Sequence, residues 1–172
     1  IYLQLSNNNI ISNNTVSLNR FEGILLQNST DNLISHNNVT RNANVGIDLL
    51  YSSKNQIDNN TISYHLNVSM HNQGILTSYS NNNTVQNNII SSNAYGIDTF
   101  SSNNNTIVGN IVSGSHYGIS LDEDSQNNTA YHNSFLYNKL QVTSYFSNKW
   151  DNGYPVGGNY WSDYKGKDYN RG

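Results

Sequence analysis

The sequence contains no cysteine and a single proline in 172 residues. The first absence excludes a disulfide framework, a thiolate metal site and a cysteine nucleophile. One proline is few for a loop-rich chain. Charge is scarce as well: Lys+Arg total 8 and Asp+Glu 11, for a net charge of −3. Eight cations do not make the basic footprint that nucleic acid requires. No apolar run approaches the roughly 18–20 residues of a membrane-spanning helix. No segment reads as a signal peptide, and the chain opens on Ile1; we therefore expect a mature or excised chain. Hydrophobic residues reach only 35%, thin for an ordinary core. At 11% charged, the chain is not a disordered polyelectrolyte either.

Uncharged polar residues fill the gap. Asn occurs 35 times, and aromatics include 13 Tyr. The Asn are arranged in a repeat. The template Asn-x-apolar-x-x-Asn-x-apolar fits Asn9, Ile11, Asn14 and Val16, and recurs from Asn32, Asn55, Asn83, Asn105 and Asn128, at intervals of 23, 23, 28, 22 and 23. A Gly-Ile pair runs in phase at Gly23, Gly46, Gly74, Gly96 and Gly118. A repeat of that length marks a solenoid, because one copy cannot bury its own apolar face and copies must stack.

The repeat also selects the type of solenoid. Pieces such as Ile24-Leu25-Leu26 and Ile47-Asp48-Leu49 alternate with period two over a few residues, the pattern of strands with one buried face. Asn and Gly at the corners suit left-handed backbone and side-chain-to-backbone bonds. Coils stacked at about 4.8 Å place each residue above its counterpart. Asn9, Asn32, Asn55, Asn83, Asn105 and Asn128 are then expected to form a structural Asn ladder. The predicted fold is all-β: a right-handed parallel β-helix of about six coils over 1–144. Asn-rich, prion-like disorder is the competing account, and it does not keep apolar positions in register.

The ends differ from the middle. Ile1 and Leu3 lie 23 residues before Ile24 and Leu26, so the chain begins inside a coil. That uncapped edge is expected to meet further residues or another chain, self-association included. Residues 145–172 hold Tyr145, Phe146, Trp150, Tyr154, Tyr160, Trp161, Tyr164 and Tyr169, and are expected to fold over the last coil as an aromatic cap.

Both parts carry a family resemblance. The coils resemble the pectin-lyase-like parallel β-helices, in particular the NosD-like repeats of archaeal surface and secreted proteins. The tail Asn148-Lys149-Trp150-Asp151, followed by Gly158-Asn159-Tyr160-Trp161-Ser162-Asp163-Tyr164, is similar to the segment that closes such helices in methanogen-type proteins. The resemblance implies an extracellular or cell-surface place and a β-helix fold. The family holds lyases, hydrolases, epimerases, a protein of copper-enzyme maturation and many surface proteins with no known catalysis, so it selects no activity.

Candidate sites come from the residues themselves. Asp48 and Asp98 share a column two coils apart with Leu76 between them, the best carboxylate pair for acid–base work on a sugar. Outward polar residues on strands are ordinary, and no catalytic residue is assigned. His65, Met70 and His71 cluster where about five extra residues interrupt the repeat near 64–73, the only candidate for a copper-like site. Their spacing matches no metal motif, and no cofactor is expected. Arg20 and Arg41 face no acid cluster, and Asp122-Glu123-Asp124 reads as a solvated corner. Tyr51, Tyr79 and Phe100 on one edge, with Tyr95 and Tyr117 on the other, are candidates for carbohydrate binding. Glycosylation sequons begin at Asn13, Asn28, Asn38, Asn59, Asn67, Asn82, Asn104 and Asn127. Two classes of function follow. The first is a non-enzymatic surface protein, self-assembling end to end into a filament or sheath. The second is a β-helix that binds or processes carbohydrate, with a copper-binding NosD-like protein as a lesser alternative.

Overall fold

A computed structural model shows the fold and describes residues 1–65, 72–145 and 147–166. The chain winds as a right-handed parallel β-helix of about seven turns, with no helix among the described residues. Three sheets form its sides. The first has seven strands: Tyr2–Gln4, Ile24–Gln27, Ile47–Leu50, Gln73–Ser78, Tyr95–Phe100, Tyr117–Leu121 and Leu140–Ser144. The second has six, from Ile10–Ser12 to Thr129–Tyr131. The third has seven, from Thr15–Ser17 to Tyr160–Trp161.

Every strand pair within these sheets is parallel and in register with the repeat. Ile24 lies over Ile47, Ile47 over Ile75, Ile75 over Ile97 and Ile97 over Ile119. The second sheet adds Ile34, Ile57, Val85 and Ile107 to the interior, and the third adds Val39, Ile62, Ile90 and Val112. The result is a narrow apolar rod that runs the length of the molecule. The column Leu26, Leu49, Thr77, Thr99 and Leu121 turns polar in its middle, and Thr77 and Thr99 are buried there.

The corners hold the coils together with side-chain bonds. In the Asn9 column, each backbone N–H donates to the Oδ1 of the residue one coil on, through Asn128 to Asn148, at 2.8–2.9 Å. The amide of Asn83 departs from the pattern, its Nδ2 being buried without a partner. Three more columns do the same work. Asn14, Asn37, Asn60, Asn88, Asn110, Asn133 and Asn159 form one. Ser6, Ser29, Ser52, Ser80, Ser102 and Ser125 form another, each N–H donating to the next Oγ. Asn19, Asn42, His65, Asn93, Ser115 and Asn138 form the last.

These ladders impose backbone that local preference does not favour. In one coil Tyr51, Lys54, Asn59 and Tyr64 all have φ between 49° and 60°. Two of the four are tyrosines, for which the left-handed region costs about 1–2 kcal/mol. Each of these residues is held by its own N–H, as Tyr51 donates to Ser78 O at 2.9 Å. The glycines of the Gly-Ile pairs have a different reason from the one the sequence suggested. They are needed for space: a Cβ on Gly46 would lie 2.5 Å from Gly74 O and 2.7 Å from Ile62 Cγ2. There the first sheet meets the third too closely for any side chain.

The turns number about seven where about six were expected, because the first sheet alone already holds seven strands by Ser144, and the tail adds pairing of its own. Lys149 bridges Thr129 in parallel, and Tyr160–Trp161 adds a strand beside Ser134–Leu136. Asn148 and Asn159 continue two ladders because the tail repeats their Asn-x-apolar spacing. Trp150 and Trp161 pack, partly buried, against the end of the core.

Candidate functional site

The outward face of the first sheet gathers most of the candidates. Its central column runs Leu25, Asp48, Leu76, Asp98 and Ser120, so the two carboxylates stand two coils apart. That separation is about 9.6 Å at the interstrand spacing. Asp48 Oδ1 is buried with no hydrogen-bond partner. Burial, and then the nearby Glu22 carboxylate, raise the Asp48 pKa from 3.8 to about 7. Glu22 Oε1 accepts a bond from Asn44 Nδ2 at 2.7 Å.

Asp98 sits in a different setting. Its Oδ2 accepts a bond from Gln73 Nε2 at 3.2 Å. Gln73 is only 5% exposed, and its Oε1 is buried without a partner. The hydroxyl of Tyr95 is pushed upward by burial, then by the Asp98 charge and by Tyr117. A pair of acceptor atoms with nothing donating to them is uncommon inside a folded protein, and each calls for an explanation.

Aromatic stacks border this polar strip on both sides. Tyr95 and Tyr117 stack at 4.6 Å and 11°, with the His116 ring 4.7 Å from Tyr117. On the opposite edge Tyr51 and Tyr79 stack at 5.0 Å and 14°, and Phe100 meets Tyr79 edge-on at 5.4 Å. From Tyr95 to Phe100 the strand spans about 16 Å at 3.3 Å per residue. Because the rings cover one another, they act as walls that present edges and phenol hydroxyls.

The other candidates lie elsewhere. His65 belongs to the ladder, with both ring nitrogens turned to the backbone. It is 0% exposed, its Nδ1 accepts from Asn42 N–H at 3.2 Å, and its Nε2 is 3.2 Å from Val39 O. Both ring nitrogens are thus engaged, and burial lowers its pKa. Met70, His71 and the sequon at Asn67 fall outside the described residues. Among the described residues, no group of three His, Cys, Asp or Glu could hold a metal ion. Arg41 lies over the Tyr64 ring at 5.9 Å. Asp122 accepts from Ser101 N–H through both oxygens, at 3.0 and 3.2 Å, and so caps a corner. Asn13, Asn28, Asn38, Asn59, Asn82, Asn104 and Asn127 are exposed.

Gln73 and Glu22 were not singled out from the sequence. A signal for them existed: the residue before each Gly-Ile pair runs Glu22, Val45, Gln73, Tyr95 and Tyr117. Only the tyrosines of that column attract attention by type.

A family model described as "Right handed beta helix region" matches residues 1–135. The chain belongs to this right-handed β-helix family. Solved structures of similar fold include the periplasmic alginate epimerase AlgG, as a double mutant, at a TM-score of 0.73 and 23% identity. That match covers 84% of this β-helix and 35% of AlgG. The A-module of the Azotobacter vinelandii mannuronan C-5 epimerase AlgE4 gives a TM-score of 0.60 at 17% identity, covering 84% of this chain and 54% of that one. The β-helix thus spans about a third of AlgG and about half of the AlgE4 module. At such identities the likeness is one of fold. No curated protein matches the sequence.

Proposed function

We propose that this protein is an extracellular β-helix that binds saccharide on the outward face of its first sheet and does not turn it over. The observation that carries the reading is the pair of unpartnered acceptors, Asp48 Oδ1 and Gln73 Oε1, on a strip bordered by tyrosine stacks. A ligand rich in hydroxyl groups satisfies such acceptors, and the walls confine it to the strip. The saccharide chemistry in the names of the epimerases of similar fold supports the same reading. The NosD-like tail and the periplasmic place named for AlgG support export, with an archaeal surface protein as the proposed source.

Binding is favoured over catalysis on geometric grounds. Hydrolysis with inversion needs a water between two carboxyl groups about 6.5–9.5 Å apart. Here Leu76 stands in that place, and Asp98 is bonded to Gln73. A screen of the full chain against immobilised glycans tests the proposal. Retention of a glycan by the wild type, with loss in Asp48→Ala and Gln73→Ala variants that still fold, is expected. Absence of retention, or retention unchanged by both variants, would overturn it.

A second reading is a purely structural role in a filament or sheath, favoured by four side-chain ladders that need no ligand. Light scattering and negative-stain microscopy across concentration decide it: ordered fibres support the role, and a monomer throughout removes it.

A further inference from the structure

We infer that the ligand of this face is a neutral, hydroxyl-rich polysaccharide and that the face rejects polyuronates. The inference rests on the saccharide-binding reading above and adds the chemical class of the ligand.

The first argument is charge. The seven strands of the first sheet contain two Asp and no Lys, Arg or His. A polyuronate brings one carboxylate per sugar, and recognition of carboxylates relies on Arg or Lys donors in forked or point-charge contact. None is present on these strands. Lys139 and His116 stand outside them, at the corner before Leu140 and Tyr117. The strip itself offers Asp98, the adjacent Glu22 and, once ionised, Asp48, and like charges set against a ligand are an effective means of rejection.

The second argument is the balance of donors and acceptors. Of the buried atoms without partners among the described residues, the two on this face are oxygens, Asp48 Oδ1 and Gln73 Oε1; the amide oxygen only accepts, and the Asp48 carboxyl does so once ionised. A uronate keeps its ring hydroxyls but carries, in place of the primary hydroxyl, a carboxylate that only accepts, so it brings one donor fewer to these atoms. A sugar hydroxyl donates one bond and accepts others, and it fits both atoms. Gln73 is held for this role, because its Nε2 is fixed on Asp98 while its Oε1 remains open.

The third argument is shape. With the tyrosine faces covered by one another, the walls offer little flat surface for a bare apolar sugar face. Recognition then falls to hydrogen bonds at the floor, which suits a ligand whose hydroxyls project toward the sheet.

Isothermal titration calorimetry on the full chain near pH 7 tests the inference. The probes are neutral hexasaccharides of glucose, mannose and galactose, hexamers of mannuronate and galacturonate, and a glucosamine hexamer. A neutral probe binding at least about tenfold tighter than either uronate, with little change on adding salt, is expected. Gln73→Leu, checked for an unchanged melting temperature, should weaken that neutral probe by about tenfold or more. Equal or tighter binding of a uronate, or strongest binding of the glucosamine hexamer, overturns the ligand class while leaving saccharide binding in place. No binding by any probe overturns both.

Discussion

Two single residues set opposite dependences on pH. His65 fills an Asn position and reproduces its bonds. Nδ1 accepts a ladder N–H as Oδ1 does elsewhere, and Nε2 reaches a carbonyl 26 residues back, as Nδ2 of Asn42 reaches Val16 O. A protonated ring cannot accept, so the fold requires the neutral form, and burial lowers the pKa from 6.5. The unfolded chain therefore takes up the proton first, and stability falls as pH drops below about 6.5. His65→Asn should match the wild type near pH 8 and exceed it by up to about 2 kcal/mol near pH 5, read from thermal unfolding. Asp48 acts in the other direction. Its folded pKa of about 7 lies above the ordinary 3.8, so ionisation weakens the fold. That cost is absent below the ordinary value, grows as pH rises toward 7 and is complete above it. Asp48→Asn should melt with the wild type near pH 4 and above it near pH 8. A gap that closes as pH rises would contradict the burial argument.

At the scale of one coil, the side-chain ladders bind each turn to the next. Asn60 Oδ1 accepts from both the N–H and the Nδ2 of Asn37, and its own Nδ2 donates to Ile34 O, Asp58 O and Asn88 Oδ1. Truncation leaves buried groups on two coils unpaired, at about 1–3 kcal/mol for each group. Asn60→Ala should therefore cost more than about 2 kcal/mol, whereas Thr61→Ala, at the exposed neighbour on a regular strand, should cost less than about 1 kcal/mol; chemical denaturation compares them. The same ladders explain which parts of the fold were legible. Asn, Gly and apolar residues recur by identity, so the period and the solenoid can be read directly. The Ser6–Ser125 column shares those intervals, yet serine is common and its neighbours carry no pattern. The Asn19–Asn138 column hides further, because Asn, His and Ser alternate in one structural slot. His65 therefore looks like a ligand in sequence and is an amide substitute in space. The site was partly legible for a related reason. Asp48 and Asp98 stand out as acids, whereas Gln73 matters through an unpaired oxygen that only the packed structure reveals.

In the whole molecule, each coil touches only its neighbours, so stability behaves as a sum along one axis and the ends are the points of weakness. At the C-terminal side, Trp161 stacks on Phe135 at 4.7 Å and 10°, and Trp150 meets Trp161 at 5.9 Å and 60°. Ala130 and Phe135 are the last buried members of their columns, and these two indoles lie beyond them in the following turn. Among the described residues the first sheet has less cover, since Leu140 and Val142 on its last strand are 46% and 39% exposed. Trp161 therefore shields one corner of the rod end, and we propose that it serves as the cap. Trp161→Ala removes a partly buried ring and bares Phe135, at a cost of about 2–3 kcal/mol. The effect should also be local. Hydrogen exchange should accelerate first in Ser134–Leu136 and Ile111–Ser113, while Ile34 and Ile57 keep their protection. Equal loss along all coils would mean that the solenoid unfolds as one unit, with coupling that reaches past the neighbouring turn. Graded loss from the tail inward would fix Trp161 as the residue that keeps the rod from fraying.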